Sequence, residues 1–249
     1  MWPSVSILIP TYARTKWLEE ALYCALHQDY GGHIEVIVAN DCVRQELICD
    51  YPYVRVINSS LNATLGSKRN RLIAAASGQY FVWLDDDDLA LPWYVHRLVR
   101  PVVLNGATAV LSKNCFFLHQ NAWRPTFVPI ELLCDRQLAL DLGGYPDDMD
   151  SGEDQVFRAK LVGAPGAVPI FAPPGAYVYR SEPSIYHISG TGLENPGDAF
   201  RRHADERIDT GVEPCGTVSL VPRLLRDYFE NAPTEVLRRV PHAFRSTAS

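Results

Sequence analysis

Four adjacent carboxylates, Asp85-Asp86-Asp87-Asp88, follow the apolar run Tyr80-Phe81-Val82-Trp83-Leu84. Like charges in a row repel, and neighbouring carboxylates stay ionised together only when a cation or hydrogen-bond donors compensate them. An oxygen-rich cluster of this kind suits a hard divalent ion such as Mg²⁺ or Mn²⁺. The apolar run predicts a buried strand, and in open α/β sheets ligands bind beyond the carboxyl ends of the strands. Taken alone, a solvated acidic turn accounts for the run equally well. A second acidic pair, Glu153-Asp154, opens a predicted helix, where carboxylates are ordinary caps. His187 stands alone, the usual situation of a structural histidine.

The elements that must position these groups alternate. Residues 5–9 are a short strand-type run stopped by Pro10, followed by the polar loop Thr11-Tyr12-Ala13-Arg14. Leu18, Ala21, Leu22, Ala25 and Leu26 recur at helical spacing, with Thr15 as the expected N-cap. Residues 34–39 form a second strand ending at Asn40-Asp41, residues 44–49 a short helix and residues 54–58 a third strand. Gly66-Ser67 opens a helix carrying Lys68, Arg69 and Arg71, and residues 80–84 form the fourth strand. A helix over residues 92–105 starts at Pro92 and is expected to bend at Pro101. Short strand pieces at 109–111 and 115–118 suggest antiparallel additions, and Asp135 caps a helix ending at Gly143-Gly144. Further strands are expected at 168–171 and 176–179, then loop to Gly192, then helical pieces from Pro196.

Strand–helix alternation with short connections predicts an α/β fold around a mostly parallel, Rossmann-like sheet with helices on both faces and a helical C-terminal tail. Neither G-x-G-x-x-G nor a G-x-x-x-x-G-K-[ST] loop follows the first strand, which demotes dinucleotide oxidoreductases and P-loop enzymes. The 249 residues suffice for one large domain or two small ones. The net charge of −6 argues against general nucleic-acid affinity. The six cysteines show no C-x-x-C pair or zinc spacing and read as buried, reduced thiols of a cytoplasmic protein. No signal segment opens the chain, and no apolar run reaches the roughly 18 residues of a membrane span.

Several blocks fall in a familiar order. Ser4-Val5-Ser6-Ile7-Leu8-Ile9-Pro10-Thr11-Tyr12 resembles the opening strand and nucleotide loop of family 2 glycosyltransferases. Glu35-Val36-Ile37-Val38-Ala39-Asn40-Asp41 resembles their second strand, which usually ends in two aspartates. Gly66-Ser67-Lys68-Arg69-Asn70, then Ala76-Ser77-Gly78-Gln79-Tyr80 and Leu84-Asp85-Asp86-Asp87-Asp88, are similar to their third block and DXD motif. Gly143-Gly144-Tyr145 with Gly152-Glu153-Asp154 is similar to their acceptor-side block. The resemblance implies the GT-A fold and an inverting, metal-dependent transfer from a nucleotide sugar. It divides the chain into a nucleotide-sugar half (1–105), an acceptor and catalytic half (106–192) and a helical extension (193–249).

On these positions the resemblance implies roles. Pro10, Thr11, Tyr12 and Arg14 form the nucleotide loop, with Thr11 bonding the nucleotide and Tyr12 stacking on the base. Asn40 stands where the family places an aspartate that accepts from uracil. An asparagine oxygen can still accept that bond, and Asp41 is the alternative. Lys68 and Arg69 lie near the phosphates, although a solvated helix face also explains them. Asp87 is the direct ligand of Mn²⁺ or Mg²⁺, Asp85 holds the ribose or joins the metal, and Asp86 contributes through water. Asp88 caps the following turn or touches the ligand. Asp154 is the base that takes the acceptor proton, and Glu153 orients it or binds the acceptor. His187 is a further metal ligand or a structural residue. Trp93 and Trp123 are candidate acceptor platforms, and Trp83 is core.

The expected partners are a nucleotide-sugar donor, a UDP-sugar first, and a saccharide, lipid-linked or other hydroxyl acceptor. The apolar stripes Leu224, Leu225, Tyr228, Phe229 and Val236, Leu237, Val240, decorated with arginines, suit core cover, a homodimer or rest on an anionic inner-membrane surface. Competing functions are a catalytically silent nucleotide-sugar-binding module, a nucleotidyltransferase and a calcium-stabilised structural domain. Pro10-Thr11-Tyr12-Ala13 is not the glycine-rich, basic loop a nucleotidyltransferase needs.

Overall fold

The structure, a computed structural model, describes residues 1–61, 63–170, 175–181, 187 and 196–244. In chain order it contains β1 (Val5–Thr11), α1 (Thr15–Leu26), β2 (Ile34–Asn40), β3 (Gln45–Ile48), β4 (Val54–Asn58), α2 (Leu65–Ala75), β5 (Tyr80–Trp83) and β6 (Leu89–Ala90). There follow α3 (Tyr94–Asn105), β7 (Ala109–His119), β8 (Ala122–Asp135), α4 (Arg136–Asp141), α5 (Glu153–Val162), β9 (Ala167–Ile170) and β10 (Tyr177–Arg180). The tail holds α6 (Pro196–Asp209), β11 (Gly216–Ser219), α7 (Thr234–Leu237) and a closing 3-10 turn.

The main sheet has the order β4-β2-β1-β5-β8-β7-β10-β6, with β9 beside β7. β4, β2, β1 and β5 run parallel, and β8 is inserted antiparallel between β5 and β7. The sheet is thus continuous across both halves of the chain. Its α/β, mostly parallel architecture is the expected one.

Side chains alternate across a strand, so each strand feeds both faces. Val5, Ile7 and Ile9 pack with Leu18, Leu22 and Ala25 of α1 and with Leu98 and Val99 of α3. Leu8, Ile37, Phe81 and Trp83 point the other way, into Leu72 and Ile73 of α2, Ala139 of α4 and Phe157 and Leu161 of α5. Covering both faces explains why these strands read as largely apolar runs, broken by Ser6 in β1 and by Glu35 and the closing Asn40 in β2.

Several elements differ from expectation. Residues 45–48 are strand, not helix: β3 pairs in parallel with β11. Its burial alternates, Gln45 and Leu47 in, Glu46 and Ile48 less so, which is a period of two and not of 3.6. The two short pieces after residue 108 belong to one strand, β7, joined to β8 through Gln120 and Asn121 at φ 48° and 64°. Two consecutive left-handed residues make the mirror-image turn whose twist suits a hairpin. Thr15 does not cap α1; Arg14 holds the cap position without a side-chain bond, and Thr15 Oγ1 turns to Glu213. Asp135 does cap α4, accepting from the Leu138 N–H. α3 runs through Pro101 to Asn105.

The tail is less helical than its stripes suggest. α6 begins at Pro196 as expected, but residues 221–229 are not helical. Tyr228, Phe229, Val236 and Val240 are nonetheless buried in the main core. Trp123 and Trp93 join that packing: Trp123 donates to the Tyr228 carbonyl, and Arg239 lies over the Trp93 ring. Neither lines the cleft described below. Cys24, Cys42, Cys115 and Cys134 are buried free thiols, whereas Cys49 is half-buried and Cys215 exposed. Among the described residues no helix is long and apolar enough to cross a membrane. Expectations for residues 171–174, 182–186, 188–195 and 245–249 lie outside the described residues.

Candidate active site

A cleft of about 550 Å³ opens where β1 and β5 end. Its floor is Pro10 and Thr11 at the end of β1, Tyr12 and Arg14 in the loop that follows, and Asp85–Asp88 after β5. Lys68 and Arg69 from α2 and Glu153 and Asp154 from α5 close one side. Phe117, Ile130, Leu132 and Tyr179 from the second half form an apolar wall.

Two glycines allow the helix starts to meet. A side chain at Gly66 would lie 1.8 Å from the Pro146 carbonyl, and Gly66 N–H donates to Met149 O at 3.0 Å. Only a residue without Cβ lets α2 approach the loop before α5 this closely. Gly152 sits at φ 79° as the N-cap of α5 and turns the chain so that Glu153 and Asp154 open the helix.

The acid run is balanced by arginines and divided by environment. Asp86 has no exposed surface and accepts from Thr11 Oγ1 at 2.6 Å and from Arg14 Nε at 3.2 Å. The Arg14 guanidinium also reaches Asp87, whose Oδ2 lies 3.0 Å from His187 Nδ1. Burial raises Asp86 to about 6 against the pull of Arg14. Burial works the same way on Asp87, but Arg14 and the His187 contact outweigh it and hold the group at about 2. Asp85 is half-buried and faces Arg69 Nη2 at 3.3 Å; burial raises it while Arg69 opposes. Asp88 accepts from the Tyr177 hydroxyl and the Arg180 N–H, both at 2.8 Å. Its carboxyl is pushed well above the usual range, first by burial, then by the charges of Asp87 and Asp85. Asp88 is therefore the framework member of the run.

Arg69 bridges the walls. Its Nε lies 3.1 Å from Glu153 Oε1, and its guanidinium covers the Trp83 ring at 4.6 Å. The Glu153 carboxyl is raised by burial with Arg69 opposing. Asp154 differs from its neighbour: its side chain is 41% exposed, with Arg158 Nε at 4.0 Å. Trp83 is 4% exposed and serves as the bed for Arg69, close to the core role expected of it.

Lys68 of α2 braces the loop that carries Tyr12. Lys68 Nζ donates to Thr11 O at 2.9 Å and pairs with Asp41. Burial lowers its pKa, and Asp41 works against that. Tyr12 packs edge-on to Phe200 at 6.1 Å and lines the cleft, with burial raising its hydroxyl pKa.

Asn40 and Asp41 do not reach the cleft. Asn40 is 1% exposed; its amide donates to Gln45 O at 2.8 Å and Asn58 Oδ1 at 3.0 Å, and its oxygen accepts from Cys42 N–H at 3.1 Å. Asp41 has no exposed surface and is held by Lys68 and the Ala63 N–H. Asn40 ties the end of β2 to its neighbours, and Asp41 ties the following residue to Lys68 and the Ala63 N–H. Pro10, Thr11, Tyr12, Arg14, Lys68, Arg69, Asp85, Asp86, Asp87, Glu153, Asp154 and His187 all line the cleft together. Sequence reasoning passed over Tyr177 and Arg180, which hold Asp88 and the Asp87 carbonyl, and Phe200 beneath Arg14. The signal available for Arg180 was a charge ending an apolar strand.

A divalent cation is implied by the family resemblance. Asp85 and Asp87 supply the hard oxygen donors it requires, and His187 Nε2 is buried with no hydrogen-bond partner among the described residues. No three His, Cys, Asp or Glu side chains among those residues converge on one point. Mg²⁺-type sites commonly use one or two carboxylates plus substrate phosphates, so the donor set fits.

The Glycosyl transferase family 2 description matches residues 6–160, the stretch that carries the nucleotide loop, the acid run and Glu153-Asp154. The uncharacterized glycosyltransferase EpsJ of Bacillus subtilis is 34% identical over 145 residues, 55% of this chain and 41% of that protein. The chain thus spans less than half of EpsJ. An uncharacterized glycosyltransferase of Haemophilus influenzae is 23% identical over 231 residues, 82% of this chain and 78% of that protein. Among solved structures, S. aureus TarS 1–349 in complex with UDP-GlcNAc superposes with a TM-score of 0.60 at 18% identity, covering 95% of this chain and 84% of that one. The mannosyltransferase PcManGT of Pyrobaculum calidifontis, in complex with GDP-Man and Mn²⁺, gives 0.55 at 18% identity, covering 84% and 70%. The two structures share the fold, GT-A; the sequence match over the cleft-bearing segment establishes that the chain belongs to glycosyl transferase family 2.

Proposed function

We propose that this protein transfers a sugar from a nucleotide-diphosphate donor to an acceptor hydroxyl, by direct displacement with inversion, using Asp154 as general base. One observation carries the reading: Asp154 keeps a half-exposed carboxylate on the cleft while Glu153 beside it is locked against Arg69. A base must be reachable by the proton it takes, and Glu153 is not. Glu153 then acts as the anchor of Arg69.

On the donor side the residues divide the work. Thr11, Tyr12 and Arg14 frame the nucleotide, and Arg69 and Lys68 add positive charge beside it. Asp85 and Asp87 would hold a Mn²⁺ or Mg²⁺ ion, with His187, whose Nδ1 lies 3.0 Å from Asp87 Oδ2, as a further candidate donor. When bound, that ion stabilises the negative charge developing on the leaving diphosphate. Arg14, which now neutralises Asp86 and Asp87, is the group that must yield or share those oxygens. The apolar wall of Phe117, Ile130, Leu132 and Tyr179 keeps bulk water from the reacting centre.

A UDP-sugar is the first donor to try, since a TarS structure contains UDP-GlcNAc, and a GDP-sugar the second, since PcManGT contains GDP-Man. The acceptor is a saccharide, lipid-linked or other hydroxyl compound. The test is a panel of nucleotide sugars scored for Mn²⁺-dependent thermal stabilisation and slow donor hydrolysis, then acceptor trials with the hit. Stabilisation by at least one nucleotide sugar, strengthened by Mn²⁺, is expected. Absence of any response across uridine and guanosine donors overturns the reading.

A further inference from the structure

The tail and the acid run meet at one buried side chain. Arg180, the last residue of β10, has no exposed surface. Its Nε donates to the Asp87 carbonyl at 2.5 Å, and its backbone N–H donates to Asp88 Oδ1 at 2.8 Å. On the far side its Nη1 donates to Glu20 Oε2 at 2.5 Å and to the Tyr228 hydroxyl at 3.0 Å. The Tyr228 hydroxyl donates to that same Glu20 oxygen at 2.7 Å, while Glu20 Oε1 accepts from the Leu225 N–H at 2.8 Å. The rings of Trp17 and Tyr228 lie 4.9 and 5.4 Å from the guanidinium.

Stability alone does not explain such a cluster. Replacing a buried ion pair by apolar groups of similar volume is often neutral or stabilising, because desolvation offsets the attraction. What the charge adds here is direction. A planar guanidinium fixed through Nη1 by Glu20 and Tyr228 turns its Nε to the peptide of Asp87, while its Nη2 has no hydrogen-bond partner among the described residues. Side chains that must sit within tenths of an ångström are set by the groups behind them. Tyr228 and Arg180 both lie beyond residue 160, where the family match ends.

We propose that Tyr228 is a positioning residue of the transfer site, acting through Glu20 and Arg180 on the Asp87–Asp88 backbone. The C-terminal segment is then part of the working site as well as cover for the sheet. The proposal rests on the donor reading above, in which Asp87 serves the diphosphate.

The experiment titrates UDP and GDP, each with and without Mn²⁺, into wild type, Tyr228→Phe and Val240→Ala, with melting temperatures taken in parallel. Tyr228→Phe removes one oxygen and leaves the ring beside the guanidinium. Val240→Ala opens a cavity in the same segment and removes no side-chain hydrogen bond. Tyr228→Phe is expected to weaken the Mn²⁺-dependent affinity for the preferred diphosphate roughly tenfold, as for a lost hydrogen bond to a charged group. Val240→Ala should stay within about twofold despite its own loss of stability, since it leaves every hydrogen bond of the relay in place. Unchanged affinity in Tyr228→Phe overturns the proposal. So does an equal loss in Val240→Ala below both melting temperatures, which would reduce Tyr228 to a structural part. Should Tyr228→Phe fail to fold, the isosteric Glu20→Gln takes its place with the same expected result. A wild-type protein that binds neither diphosphate takes down the donor reading itself, and is distinguished from relay failure by that fact.

Discussion

Arg69 Nε sits 3.1 Å from Glu153 Oε1, and this ion pair fastens the start of α5 to α2 across the floor of the cleft. The pair also separates the roles of two adjacent acids. Glu153 is consumed by the contact, and Asp154 is left facing the cleft.

That separation is testable by matched substitutions. Asp154→Asn should abolish sugar transfer while leaving nucleotide-diphosphate affinity nearly intact, because it removes proton acceptance and little else. Glu153→Gln should instead act through stability, costing about 3 kcal/mol, since it leaves Arg69 buried with one partner fewer. Turnover and thermal melting of both variants check the split; an Asp154→Asn enzyme with normal turnover sinks the base assignment.

Asp87→Ala should remove the Mn²⁺-dependent part of UDP or GDP affinity. The same change frees Arg14 and His187 from their shared partner. Calorimetry with and without Mn²⁺ measures this, and a retained Mn²⁺ increment would place the ion on other residues.

Asn40→Asp, which would restore the family's usual residue, should damage the framework without altering nucleotide choice. The amide of Asn40 donates to Gln45 O and Asn58 Oδ1. A carboxylate there faces acceptors and loses both bonds, at about 1–3 kcal/mol for each unsatisfied buried group. A lower melting temperature is expected, with an unchanged ranking of donors. A shift in that ranking would put position 40 back in the base site.

The acid run should make stability depend on pH in a defined direction. Asp88 is raised well above its ordinary 3.8, chiefly by burial. A carboxyl that holds its proton longer when folded is fully stabilising below the unfolded value. That contribution is lost as pH rises through the folded value. Asp86, raised to about 6, adds a loss of the same sign between about pH 4 and pH 6. Asp88→Asn mimics the protonated acid, so its melting temperature should gain on wild type as pH increases from 4 to 8. Parallel melting curves across that range would contradict the assignment.

Sequence alone determined which strands form the sheet's parallel half and which polar residues stand at their carboxyl ends. The apolar runs at residues 5–9, 34–39 and 80–84 are buried on both faces, so their pattern is local and readable. The acids and bases that end them fall at strand termini for the same reason. Tertiary structure decided the rest, wherever the partner is far away in the chain. Strand β3 exists because β11 lies beside it, and Gln45 pairs with Gly216. Asn40 became framework because Asn58 and Gln45 surround it, which no window around residue 40 displays. The acid run looked uniform in one dimension. Folding divided it by what approaches each carboxylate: Arg69 at Asp85, Thr11 and Arg14 at Asp86, Arg14 and His187 at Asp87, Tyr177 and Arg180 at Asp88. Charges so close in sequence can differ in pKa only through burial and neighbours, and both are properties of the folded chain.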